Sequence, residues 1–155
     1  MMFASILVGF DRSEHARVAL TQAVDIARTQ KASLTILVAY STLMPWGPVS
    51  PLPQSAVDEF VESVRNEAQA IADEAKNAIP QEVSAEVLVV DSAPADAILD
   101  RAAANNHDLI VVGSRGRGDA GSFFLGSVSH AVLNHSRVPV LIVHVPSVEM
   151  VPPTG

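Results

Sequence analysis

Cysteine is absent from this 155-residue chain, which excludes disulfides and thiolate metal centres and fits a reducing compartment. Cationic residues are also few: ten Lys and Arg stand against seventeen Asp and Glu, for a net charge of −7 and a pI near 5.0. So thin a cationic set argues against a phosphate-neutralising surface, and nucleic acid is not an expected partner. No apolar run reaches bilayer-crossing length. The opening Met1–Gly9 has no cationic lead-in and is too short for an export signal. A soluble, cytoplasmic protein without a membrane partner is the expectation. Internal repeats are missing, and no Ser-His-Asp ordering, carboxylate pair or metal-ligand cluster emerges. The sequence therefore identifies no catalytic residue.

What the chain does have is apolar residue in quantity, 48% against 17% charged, as a folded globular domain requires. Five short runs rich in Val, Ile and Leu read as strands: Phe3–Gly9, Ser33–Tyr40, Val83–Val90, Asp108–Gly113 and Pro139–Val145. The last two are nearly unbroken, as expected of strands covered on both faces. Between the runs the period changes to that of a helix. Ala16, Ala19, Leu20, Ala23, Val24 and Ala27 form one stripe, and Val57, Phe60, Val61, Val64, Ala68, Ile71, Ala72 and Ala75 a second. Ser55 with Asp58 three residues on predicts a capping box at the start of the second helix. Pro94 suits the first turn of a third, and Ser127–Ser136 supplies a fourth. Strand and helix alternate throughout, which predicts a five-stranded parallel α/β sheet, doubly wound; the strand order expected for this fold is 3-2-1-4-5. Residues 1–146 are expected to form one domain and 147–155 a loose tail. Ser41–Gln54, with four prolines and Trp46, reads as a surface excursion.

Open α/β sheets bind ligands beyond the carboxyl ends of their strands, where the winding reverses. Strand one delivers Gly9-Phe10-Asp11-Arg12-Ser13 there, and strand four delivers the glycine-rich segment Gly113–Ser127. Three phosphate-loop patterns compete for that segment. Gly116-x-Gly118-x-x-Gly121 matches a dinucleotide fingerprint, but no acidic residue follows at the required distance of about twenty positions. Gly121–Gly126 imitates a P-loop, but Ser127 stands where the lysine must be. The third pattern is Gly113-x-x-Gly116, nine residues, then Gly126-Ser127. Its glycines let backbone approach a ligand closely, and Gly126-Ser127 opens a helix whose N–H groups suit phosphate oxygens. Two anion-binding points joined by a span of this length can grip a triphosphate without a lysine.

This G-2x-G-9x-G-S pattern resembles the ATP-binding motif of the universal stress protein family. The flanking Asp108–Gly116, Gly126–Ser129 and Val138–Val143, and the opening Ile6–Ser13, are similar to that family as well. The resemblance implies that Asp11 bonds the nucleoside and that Ala39 contacts adenine. It places Val112 and Gly113 along the ribose and phosphate path, with Gly116, Gly126, Ser127 and Val128 on the phosphates. It further implies ATP, with Mg2+ or Mn2+ on its phosphates, a homodimer through the edge strand Val138–Val145, and a regulatory role in the stress response with a protein partner. The alternatives are a dimeric interaction scaffold without nucleotide, and a slow Mg2+-dependent ATPase. A catalytic loop of the ATP-pyrophosphatase type is disfavoured, because Gly9–Ser13 lacks its paired glycines.

Each candidate also has a plainer reading. Asp11 can cap its own turn, Gly113 and Gly116 can be turn glycines, and Ser127 can be an N-cap. Arg115 and Arg117 can be solvated. His130 and His135 lie five apart, on different helix faces, and read as surface residues. His15, His107 and His144 show no partner pattern.

Overall fold

The structure, a computed structural model, describes residues 1–43, 52–116 and 125–146. The element order is β1 (Ser5–Gly9), α1 (Glu14–Gln30), β2 (Ser33–Tyr40), α2 (Gln54–Asn77), β3 (Ala85–Asp91), α3 (Pro94–Ala104), β4 (Leu109–Gly113), α4 (Ser127–His135) and β5 (Val140–Val143). All strand pairs are parallel, as the alternation predicted, and their order β3-β2-β1-β4-β5 is the one expected for the fold. The proposed tail 147–155, Trp46 and Arg117 lie outside the described residues, and the excursion 41–54 is described only at its two ends.

Side chains alternate across a strand, and here both resulting faces are apolar. From β1, Ile6 and Val8 enter the layer under α1 and α2, with Ile36, Val38, Leu109 and Val111. Leu7 enters the layer under α3 and α4, with Leu37, Ile110, Val112, Ile98 and Val132. The three strands at the centre must therefore be hydrophobic at successive positions, and the near-continuous runs follow. β5 has β4 on one side only, and all four of its residues are half-buried.

Helix α1 buries the stripe read from the sequence. Ser13 caps it by accepting from the Ala16 N–H at 3.2 Å. Lys31, in the left-handed region at φ 57°, ends it. Pro94 sits in the first turn of α3 as expected. The capping box at Ser55 is not formed. α2 begins two residues earlier than that box requires, at Gln54, with Pro53 at the cap position and no side-chain cap. Ser55 thus falls inside the helix, and Asp58 accepts instead from the Gln54 amide at 2.9 Å. In α2 the fully buried residues are Ala68, Ile71, Ala72 and Ala75, while Val57, Phe60, Val61 and Val64 are half-buried. Glu74 ties the two helices of this face, accepting from Arg12 at 2.7 Å and Arg17 at 2.8 Å. The Arg17 bond first, and then that of Arg12, hold its carboxyl below the usual carboxylate range despite partial desolvation. No helix among the described residues is long and apolar enough to cross a membrane.

At the amino end of β1, Asp108 accepts from the N–H groups of Ala4 at 2.8 Å and Ser5 at 3.0 Å. Beside it His107 is 5% exposed. Its Nδ1 meets the Ser5 hydroxyl at 2.8 Å, and its Nε2 is buried without a partner. Burial, reinforced by Arg101 and partly offset by Glu86 and Asp108, holds its pKa below the ordinary histidine value. A base depressed in this way favours the fold while it is neutral. Between the unfolded value near pH 6.5 and the lower folded one, the unfolded chain binds more protons, so stability falls as pH falls. Urea unfolding of wild type and His107→Gln should show a stability gap that narrows from pH 7.5 to 5.5. A constant or widening gap contradicts a buried neutral His107.

Candidate functional site

The winding reverses between β1 and β4, and the cleft that opens beyond their carboxyl ends is bounded by six elements. Gly9, Phe10 and Asp11 come from β1 and its exit, Ala16 from α1, and Leu37 and Ala39 from β2. Pro94 and Ile98 come from α3, Val112, Gly113, Arg115 and Gly116 from β4 and its exit, and Gly126, Val128 and Ser129 from α4. It is open to solvent, and its roughly 550 Å3 of free space includes part of that solvent. Its deep end is apolar and its α4 end polar.

Seven of the eight residues proposed from sequence therefore line one cleft: Asp11, Ala39, Val112, Gly113, Gly116, Gly126 and Val128. Ser127 does not. It is exposed at the first position of α4, and Gly126, not Ser127, is the N-cap, without a side-chain cap bond. What Ser127 brings to the cleft is at most its backbone N–H. Asp11 does hold its own turn, accepting from the Ser13 N–H at 3.0 Å, and it also faces the cleft, so the plain and functional readings coexist. Arg115 lines the cleft with its Nε buried and without a hydrogen-bond partner among the described residues.

The reason for glycine at 113 is different from the one read in the sequence. A Cβ there would stand 2.8 Å from both the backbone carbon and the Cβ of His15, and 3.0 Å from the Ala16 nitrogen. The first turn of α1, not only a ligand, excludes a side chain at this position. Two residues that the sequence reading passed over organise the loop. Ser114 accepts at its carbonyl from the Gly126 N–H at 2.7 Å and from the Ser129 hydroxyl at 2.9 Å. The buried Ser129 hydroxyl also reaches the Gly126 carbonyl at 3.1 Å. Both ends of the glycine segment thus converge on one peptide group. A serine two positions into a helix gives no sign of this in one dimension. His130 and His135 are exposed, as read; His130 Nε2 meets the Asn134 amide at 3.0 Å and His135 Nδ1 donates to the Ala131 carbonyl at 2.9 Å.

Strand order, switch-point cleft and glycine segment together define a doubly wound α/β protein with an open cleft at the carboxyl ends of its strands. Comparison with known proteins narrows this. The sequence profile of the Universal stress protein family matches residues 2–144. Universal stress protein YxiE of Bacillus subtilis is 38% identical over 147 residues, 92% of this chain and 99% of that protein. A universal stress protein of Thermus aquaticus is 37% identical, again over 92% of this chain and 99% of its own length. Among solved structures, the universal stress protein UspA from Lactobacillus plantarum superposes with a TM-score of 0.73 at 24% identity, over 92% of this chain and 99% of that one. A universal stress protein in complex with cAMP gives 0.60 at 28% identity, over 93% and 98%. The chain belongs to the universal stress protein family.

Crowding at Gly113 has a measurable consequence. Gly113→Ala should lower stability by about 1–3 kcal/mol, the usual cost of inserting a methyl into packed backbone, read as a lower urea midpoint. An unchanged midpoint contradicts the close approach of β4 to α1.

Proposed function

We propose that this protein is an ATP-binding regulator of the stress response, holding nucleotide in the cleft between β1 and β4. One observation carries the reading: the buried, unpartnered Nε–H of Arg115 shares a cleft with the first turn of α4. First-turn N–H groups of a helix have no intrahelical acceptor, and an anion there satisfies them together with the guanidinium. At the other end, Ala39, Leu37 and Ile98 form an apolar wall suited to a base, with Asp11 placed to accept from a ribose hydroxyl. Gly113, Gly116 and Gly126 let the chain pass close to the phosphates between these ends. Binding of cAMP by a relative of 28% identity supports the adenine nucleotide class. Among the described residues no three His, Asp or Glu are grouped to hold a metal on their own. A Mg2+ or Mn2+ ion would then be carried chiefly by the phosphates, whose charge it would neutralise.

The test uses Val128→Glu. An acidic residue is favourable in the first turn of a helix and sets a carboxylate against the phosphates; because Val128 also packs against the core layer, circular dichroism of the variant must match that of wild type. Equilibrium titration should show ATP bound by wild type and at least tenfold weaker binding by the variant. Equal affinity in both removes the phosphate placement, and binding by neither leaves the paired scaffold as the better account.

The same reading includes a homodimer through Val138–Val145, since β5 is an edge whose half-buried apolar residues favour a shared cover. In sedimentation equilibrium at tens of micromolar, the expected mass is twice that of the 16.3 kDa chain. A monomer under those conditions contradicts it.

A further inference from the structure

Three side chains from distant parts of the sequence meet behind the cleft: His15 in the first turn of α1, Ser114 just past β4, and His144 just past β5. Ser114 Oγ lies 3.1 Å from His15 Nδ1 and 3.0 Å from His144 Nδ1, and the two rings are 5.6 Å apart between centroids. The Val145 N–H donates to the same His15 Nδ1 at 3.3 Å.

With both Ser114 contacts taken as hydrogen bonds, and the single lone pair of His15 Nδ1 shared by two donors, proton counting leaves one arrangement. A backbone N–H only donates, so His15 Nδ1 is bare and its ring proton is on Nε2. Ser114 Oγ faces that bare nitrogen and must donate its one proton there. Having spent it, the hydroxyl can only accept from His144, whose ring therefore carries its proton on Nδ1. The hydrogen bonds run in one direction, from His144 through Ser114 to His15.

We propose that His15, Ser114 and His144 form a proton-operated clasp joining the mouth of the cleft to the exit of β5. The clasp is closed while His15 is neutral. A second proton on His15 must go to Nδ1, which turns the acceptor of two bonds into a donor and sets it against the Val145 N–H and the Ser114 O–H. His144 differs: already protonated at Nδ1, it takes a second proton on Nε2, on an exposed ring, and leaves the clasp intact. His15 is the sensor and His144 the support.

The charged groups around His15 leave this logic in place. Glu14, next to it on α1, is exposed. Arg12 and Arg17 are held by Glu74, and Asp11 and Arg115, on the exits of β1 and β4, line the cleft. His144, past β5, is the titratable ring in contact with it.

Opening reaches the cleft through the Ser114 backbone. Its N–H donates to the Val143 carbonyl at 2.7 Å, and its carbonyl holds the Gly126 N–H and the Ser129 hydroxyl. Loss of the side-chain anchor frees the peptide that gathers both ends of the glycine segment. The consequence for ligand rests on the nucleotide reading above; the proton placement does not.

The experiment is nuclear magnetic resonance on the full-length, 15N-labelled protein without ligand. At pH 7.5 the ring nitrogens should show His15 protonated on Nε2 and His144 on Nδ1. Between pH 7.5 and 5, exchange of the Val145 amide, corrected for its intrinsic pH dependence, should accelerate roughly five- to tenfold, the size of one lost hydrogen bond. The Gly126 amide resonance should shift with the midpoint of His15. In His15→Phe the Val145 amide should exchange fast at both pH values, and in His144→Phe the acid response should persist. A proton on His15 Nδ1 at pH 7.5, or Val145 exchange unaffected by His15→Phe, overturns the clasp. ATP titrations at both pH values separate the two claims. Acid weakening in wild type that His15→Phe lacks ties the clasp to the cleft, and equal weakening in both severs that tie. If ATP binds at neither pH, the nucleotide reading falls while ring and amide data still decide the clasp.

Discussion

Site formation here depends on a single backbone carbonyl. The oxygen of Ser114 accepts from the Gly126 N–H and from the Ser129 hydroxyl, drawing together two points twelve positions apart in the chain. Closing a loop of that length costs entropy that grows only slowly with length. Two bonds to one buried acceptor offset much of it, so the residues between them need contribute little to closure. Arg115 and the first turn of α4 reach the same cleft because of this closure.

Packing at the floor of the cleft is set from the opposite direction. Gly113 lets the last turn of β4 lie against the first turn of α1, so the helix that begins after Asp11 and the strand that precedes Ser114 are in backbone contact. Asp11, capping its turn, and Ser13, capping α1, keep the start of that helix fixed. A glycine in a ligand-binding motif is readily credited to the ligand alone. At this position the protein's own backbone already demands it, so the motif is a packing constraint as well as a recognition element.

Most of the architecture was legible in one dimension. The stripe from Ala16 to Ala27 and the apolar runs at β1, β2 and β4 are periodic signals repeated over enough residues to be unambiguous, and their alternation gives the parallel direction of the sheet. Boundaries were less so. β3 starts at Ala85 and not at Val83, because Val83 belongs to a turn, its N–H donating to the Pro80 carbonyl at 3.1 Å, although its side chain is buried. The Ser55–Asp58 pair failed because capping depends on where the helix starts, and with Pro53 at the cap that start comes two residues early. In the site, motif spacing pointed to Gly113, Gly116 and Gly126 and the family resemblance to Asp11, Ala39, Val112 and Val128, and all seven line one cleft. Spacing could not reveal Ser129, nor the meeting of His15, Ser114 and His144, since those contacts arise from strands that are neighbours only once the sheet is wound.

Because all five strands point the same way, the two rims of the sheet are physically separate. The rim holding His107, Asp108 and Ser5 anchors the start of β1 by burying polar groups, and the rim holding Asp11, Gly113, Gly116 and Gly126 faces the cleft. Substitutions at the first rim act on folding with the cleft a full strand length away. Packing at one rim and the lining of the cleft at the other can thereby vary as separate traits, with β1 and β4 reaching from one to the other.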